Sequence, residues 1–296
     1  MREREKQSMA SVTAIILTKN EEKNLGQCLD SIRGFAQRAI VVDCGSTDRT
    51  VEIAKEKGAD VYVHEFTYYA NQFNWAIDET GIDTDWILRI DADERLTPAL
   101  IAETEQYISS DEALKGDLNG VVMEADYFFL GRMIKYGLHK KRRIMLFKRG
   151  IGRIEDRRRD AHSIISRGYT VQANNRFLHY DFKDLDTYIR RYNWYATREM
   201  RDYLDFKNGQ AAAEVSSKAI AKQRKKKFGL YYRAPRFVRC WLWFIYNYIF
   251  RLGFLDGKEG FVYLYFECMW YRMLVDAKIY EQEKTNAPME DLRALD

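Results

Sequence analysis

No two cysteines in this chain have the CxxC spacing of a zinc site. Cys28, Cys44, Cys240 and Cys268 lie far apart, which also argues against a disulfide framework and fits a reducing compartment. Long apolar runs are missing as well. No stretch reaches the roughly 18 uncharged residues of a spanning helix, and the nearest approach, between Arg239 and Arg251, is too short. The charged amino terminus, MREREKQS, leads into an apolar run too short for a secretion signal. Two phosphate-binding signatures are absent. Where a dinucleotide-binding enzyme would show GxGxxG, the chain has Thr18, Lys19, Asn20, Glu21 and Glu22, and GFLDGK at Gly253 to Lys258 has the wrong spacing for a P-loop. Net charge is small, 48 Lys and Arg against 44 Asp and Glu, so the distribution of charge says more than its sum.

What is present begins with room for a core: 296 residues, 46% of them hydrophobic and 14% aromatic, allow one large domain or a domain with a substantial extension. Ser11 to Leu17 is a β-rich apolar run, and Leu25, Cys28, Leu29 and Ile32 follow at helical spacing. Ala39 to Val42 repeats the strand. A loop rich in capping residues, Asp43 to Asp48, leads into the helix of Val51, Ile53 and Ala54, which Gly58 would end. Ala59 to Phe66 reads as a third strand, Tyr69 to Glu79 as a third helix and Asp85 to Ile90 as a fourth strand. Alternation of this kind predicts an α/β fold with a parallel, doubly wound sheet whose loops gather on one edge.

The fourth strand runs straight into acids. In DWILRIDADE, Trp86, Ile87, Leu88 and Ile90 have the near-continuous apolar character of a doubly covered strand, and Asp91, Asp93 and Glu94 fall just beyond its carboxyl end. Two carboxylates one residue apart can share a hard divalent cation with phosphate oxygens, whereas the competing reading is a solvated acidic turn before the helix begun by Thr97 and Pro98.

Taken in order, TAIILTKNEEKNL, VVDCGSTDRT and DWILRIDADE resemble the family 2 glycosyltransferases. The resemblance covers residues 11 to about 100 firmly. It implies the GT-A fold, a Rossmann-like and mostly parallel nucleotide-binding sheet, and a nucleotide-sugar donor held through a DxD motif and Mn2+ or Mg2+. Carried over by position, Thr18, Asn20 and Glu22 border the nucleoside and Asp43 bonds the base. Asp91 then sits near ribose and metal, and Asp93 is the direct metal ligand. Many relatives carry a basic residue just before the position of Asn74, where this chain has Gln72 and Phe73.

Gly120 to Gly131 and Arg143 to Lys148 read as further strands, followed by GRIEDRRRDAHSII. Inverting sugar transfer needs a carboxylate to take the acceptor's proton, and the resemblance places it in this acidic cluster. Relatives that build polysaccharides often read Asp, Glu, His here, whereas this chain reads Asp160, Ala161, His162. Asp160 is therefore the first choice for the base, with Asp156 and Glu155 behind it; all three compete with simple pairing to Arg157, Arg158 and Arg159. His162 and His179 are read as structural histidines before metal or diphosphate contacts.

From Asp181 the pattern turns helical, with Leu185, Tyr188, Tyr192 and Tyr195 at helical spacing, an aromatic stripe read as core before sugar platform. Between Glu214 and Asp256 no acid occurs, while Lys222, Arg224 to Lys227, Arg233, Arg236, Arg239 and Arg251 lie around FVRCWLWFIYNYIF. Basic residues beside Trp, Tyr and Phe describe a segment resting in an anionic membrane interface. Arg272 and Asp276, at i and i+4, would support a helix.

The expectation is a GT-A domain over residues 11–180 and a helical, membrane-interacting extension over 181–296. Its activity would be metal-dependent, inverting, hexosyltransferase-type transfer to a lipid-linked or lipopolysaccharide or exopolysaccharide acceptor, peripheral on the cytoplasmic membrane face. The alternative is a noncatalytic nucleotide-sugar or polyanion binding module. A nucleic-acid partner is not expected, because the basic patch joins an apolar run instead of polar base-reading residues.

Overall fold

The computed structural model describes residues 10–138, 142–156, 162–181, 183–207 and 231–285. The chain divides into two compact units, one of residues 1–128 and 140–181, the other of residues 129–139 and 182–296.

In the first unit β1 (Val12–Thr18), α1 (Leu25–Ile32), β2 (Arg38–Asp43), α2 (Thr50–Glu56), β3 (Asp60–Val63), α3 (Tyr69–Glu79) and β4 (Trp86–Arg89) alternate as expected. All four strands are parallel, in the order β3-β2-β1-β4. Both faces of this sheet are covered, which is why its strands are apolar without interruption. Ala14 and Ile16 pack on the side of Leu25 and Cys28, whereas Ile15, Ile40 and Val42 pack with Ala70, Phe73 and Ala76 of α3. The third strand is shorter than expected and lies at the sheet edge. Gly58 follows α2 with φ at +78°, a left-handed conformation that glycine adopts without cost.

The chain continues through β5 (Glu94–Arg95), α4 (Pro98–Ile108), α5 (Asp111–Lys115), β6 (Leu118–Phe129), β7 (Arg132–Ile134), β8 (Arg142–Lys148), β9 (Gly152–Ile154), β10 (Ser163–Ile165) and β11 (Tyr169–His179). Thr97 caps α4 as its sequence suggested, accepting from Leu100 N at 3.2 Å, with Pro98 in the first turn. Here the sheet turns mixed: β8 runs antiparallel to β4 and β6, and β11 runs parallel to β6. At its carboxyl end β11 also pairs antiparallel with β5, setting His179 opposite Glu94.

The second unit is helical. Its long helix α6 (Leu185–Lys207) is capped by Asp184, which accepts from Thr187 N at 2.7 Å. α7 (Arg239–Ile245) continues through a wider i→i+5 turn over Tyr246–Phe250. After a break at Leu252, in the left-handed region at φ 59°, come α8 (Gly257–Leu264), a second wide turn over Tyr265–Trp270 and α9 (Tyr271–Thr285). Ala196, Met200, Leu204, Tyr232, Val275 and Ile279 form the apolar core of this unit. No helix among the described residues is long and apolar enough to cross a membrane.

Two sequence expectations change here. Arg272 and Asp276 do lie on one helix, but each pairs with a different helix: Arg272 with Glu199 at 2.6 Å, and Asp276 with Arg239 in a buried ion pair. Of the aromatic stripe, Tyr188 is buried and stacks on Tyr192 with ring centroids 4.1 Å apart, while Leu185 and Tyr195 are exposed. The hydroxyls of Tyr188 and Tyr192 both bond Glu267.

Candidate active site

The acids of DADE sit in a tight turn at the end of β4. Glu94 N donates to Asp91 O at 2.9 Å, and Asp91 N donates back to Glu94 Oε2 at 3.0 Å. This turn points its acids in opposite directions. Asp91 reaches toward β8 and α3: its Oδ2 lies 3.1 Å from Arg143 Nη1 on β8, and its Oδ1 accepts from the Tyr69 hydroxyl at 3.1 Å. That hydroxyl in turn accepts from Arg89 Nε at 2.8 Å. Glu94 is fully buried against the same Arg143. Burial pushes the Glu94 carboxyl up to about 7, a rise that the Arg143 charge opposes.

Asp93 faces the other way, toward the end of β11. Tyr180 N donates to Asp93 O at 2.8 Å, which holds the two segments together. His179 Nε2 lies 3.4 Å from Asp93 Oδ2 and 4.0 Å from Asp181 Oδ1. Burial lowers the affinity of His179 for its proton, but the hydrogen bond and charge of Asp93, with Glu94 and Asp181 behind, outweigh it and raise the imidazole to about 9. The ring packs against Tyr127, centroids 4.8 Å apart.

One donor atom each from Asp93, His179 and Asp181 lies within 4.8 Å of the other two. Two carboxylate oxygens and an imidazole nitrogen, gathered this closely at a strand edge, fit a divalent cation of the manganese or magnesium kind. The cluster therefore includes Asp93 but not Asp91, and it includes His179, which the sequence had favoured as structural. Asp181, two residues beyond the end of β11, went unread.

The first-strand residues lace two loops together. Thr18 Oγ1 donates to Asp43 Oδ1 at 3.0 Å, and Asp43, buried, also accepts from Gly45 N at 2.9 Å and Ser46 N at 2.8 Å. Asn20, at a left-handed φ of 56°, accepts from Thr47 N at 2.8 Å. Glu22 accepts from Arg49 N at 3.2 Å. These four residues thus shape the loop edge beside β4 through bonds to one another and to the second loop. Gln72 is spent internally on His64, donating to its carbonyl at 3.1 Å.

Of the expected catalytic acids, Asp160 lies outside the described residues. Glu155 is buried, with its N–H donating to His162 O at 2.8 Å. Asp156 accepts from the Tyr68 hydroxyl at 2.8 Å. Adjacent tyrosines at the start of α3 therefore reach two different acids, Tyr68 to Asp156 and Tyr69 to Asp91. The strand before these acids is fixed by Asn74, whose amide donates to Ile154 O at 2.8 Å and accepts from Ile154 N at 3.1 Å.

The chain is similar to several known proteins. An uncharacterized glycosyltransferase of Rickettsia typhi is 28% identical over 267 residues, covering 86% of this chain and 82% of its own. The lipopolysaccharide core biosynthesis glycosyltransferase LpsC of Rhizobium meliloti is 26% identical over 286 residues, covering 93% and 94%. Among solved structures, glucosyl-3-phosphoglycerate synthase of Mycobacterium tuberculosis is similar at 18% identity and a TM-score of 0.32, over 40% of this chain and 44% of that one. The model of glycosyl transferase family 2 matches residues 13–168, more than half of the chain. With its GT-A-type α/β sheet and helical carboxyl-terminal region, the chain belongs to glycosyl transferase family 2 and is a glycosyltransferase.

Proposed function

We propose that the protein is a metal-dependent, inverting glycosyltransferase that moves a sugar from a nucleotide-sugar onto a lipid-linked or lipopolysaccharide-type acceptor at the cytoplasmic face of the membrane. The observation that carries this reading is the grouping of Asp93, His179 and Asp181 where the turn after β4 meets the end of β11. These three side chains would hold Mn2+ or Mg2+, which when bound neutralises charge on the donor diphosphate. The imidazole favours manganese over magnesium, whose preference is for oxygen alone. Arg143 and Tyr69 hold Asp91, which would face the donor ribose. Thr18, Asn20, Glu22 and Asp43 shape the loops that would border the nucleoside.

An acid of the 155–160 segment takes the acceptor's proton as the hydroxyl attacks. Asp160, Asp156 and Glu155 are the candidates, and the Tyr68 hydroxyl would orient Asp156. Support for the acceptor class comes from the relative that covers nearly the whole chain, whose name places it in lipopolysaccharide core biosynthesis. The test is release of nucleoside diphosphate from a panel of nucleotide-sugars, with manganese and after chelation. Release that requires the metal and an added lipid-linked saccharide supports the reading; release indifferent to chelation contradicts it.

A further inference from the structure

The helices of the second unit have their polarity reversed. From Val238 to Phe250 the exposed positions recur at helical spacing, and all are apolar or aromatic: Trp241, Leu242, Ile245, Tyr246, Ile249 and Phe250, the last 73% exposed. Phe254, Leu255, Phe261 and Tyr265 continue the series beyond the break. Meanwhile the polar side chains of the same stretch are inside. Arg239 and Asn247 are buried, and so is Asp256, whose carboxylate accepts from Lys135 N and Tyr136 N at 2.9 and 2.8 Å. A helix facing water shows the opposite arrangement. Most of the exposed residues are not spare core either, because the two helical runs join through the half-buried rings of Phe244 and Tyr248. Phe261 meets Phe244 at 5.9 Å and Tyr248 at 5.6 Å between centroids.

Charge identifies what covers this face. Arg233 and Lys258 are exposed beside it, and the chain from Val215 to Leu255 carries no acid at all. A second copy would bring the same positive flank against this one, whereas lipid headgroups bring phosphate. Exposed Trp241, Tyr246 and Tyr265 are the residue types that settle where acyl chains meet headgroups. Of the basic residues that suggested an electrostatic attachment, Arg236 and Arg239 are engaged within the unit, with Glu283 at 2.5 Å and with Asp276, while Lys222 and Arg224 to Lys227 lie outside the described residues.

We propose that the outward apolar face of residues 237–265 lies in the acyl boundary of one bilayer leaflet and is retained chiefly by buried apolar area. The inference deepens the membrane-face reading above and rests on it only for the identity of the surface.

Flotation of the full chain with vesicles tests it. Wild-type protein should float with purely zwitterionic phosphatidylcholine vesicles and stay bound in molar salt. Changing Ile249→Ser with Phe250→Ser, or Phe254→Ser with Leu255→Ser, should weaken partitioning by on the order of tenfold for each side chain removed. These positions are exposed, so the variants should keep wild-type circular dichroism and unfolding midpoint. Failure to float with zwitterionic vesicles, release by salt, or a lipid-free dimer that Phe250→Ser converts to monomer would each overturn the proposal. Release of nucleoside diphosphate in detergent is scored separately, so an inactive protein that still floats would sink the transfer reading and leave this one standing.

Discussion

His179 Nε2 stands 3.4 Å from Asp93 Oδ2, although 86 residues separate the two in sequence. The short ladder between β5 and β11 brings them together by setting His179 opposite Glu94, immediately after Asp93. An acid from one strand tip and an imidazole from another thereby come close enough to share a metal ion.

Metal binding should strengthen as pH rises. His179 titrates near 9 without metal, so at neutral pH the ion must displace a proton. Affinity should rise about tenfold per pH unit up to that value and then level off. Calorimetry in two buffers of different ionisation enthalpy should show close to one proton released at neutral pH, and none in His179→Gln. Without metal the sign reverses for stability: the raised imidazole stabilises the fold below its ordinary value near 6.5, and this contribution is lost as pH climbs through about 9.

Arg143→Met should be far worse than Glu94→Gln. Removing the guanidinium leaves buried Glu94 and half-buried Asp91 without their cation, a loss on the order of 3–5 kcal/mol. Burial holds the Glu94 carboxyl near 7, so the fold favours its protonated form, and that contribution fades as pH rises from about 4.5 through 7. Glu94→Gln should abolish this slope. Urea unfolding of both variants at acid and neutral pH measures it.

The catalytic acid should separate from its neighbours in rate alone. Replacing the true base among Asp160→Asn, Asp156→Asn and Glu155→Gln should slow transfer by roughly a hundredfold or more while donor affinity survives. If Asp156 is that base, Tyr68→Phe should slow transfer by a smaller factor, because it frees the carboxylate that Tyr68 orients. Transfer rate and donor Kd measured side by side on the four variants decide the assignment; native rates in all three acid variants would discard the mechanism.

In the helical unit, Arg239→Met alone should cost on the order of 3–5 kcal/mol, since it strands Asp276 in the interior. Adding Asp276→Leu should recover most of that loss, because two apolar side chains need no pairing. Denaturant midpoints of the single and double variants provide the check.

Much of the first unit was legible because parallel strands covered on both faces must be apolar throughout, and Val12–Thr18, Arg38–Asp43 and Trp86–Arg89 are nearly so. DADE was legible for a related reason: acids that follow a buried strand stand out. The partners of DADE were not. Asp181, Arg143 and Tyr69 carry no local signal, since each is an ordinary residue until strand pairing or helix packing delivers it. The pairing of two carboxyl-terminal arginines was hidden for a similar reason. Arg239 and Arg236 look like surface charge when read along the chain, yet their acids, Asp276 and Glu283, lie on another helix.

The most direct test of the metal cluster is a manganese titration followed by electron paramagnetic resonance, in the presence of uridine or guanosine diphosphate. Wild-type protein should bind one ion, and Asp93→Asn, His179→Gln and Asp181→Asn should each weaken it while leaving the fold intact by circular dichroism. Manganese binding unchanged in Asp93→Asn would contradict the assignment of Asp93, His179 and Asp181 as the metal site.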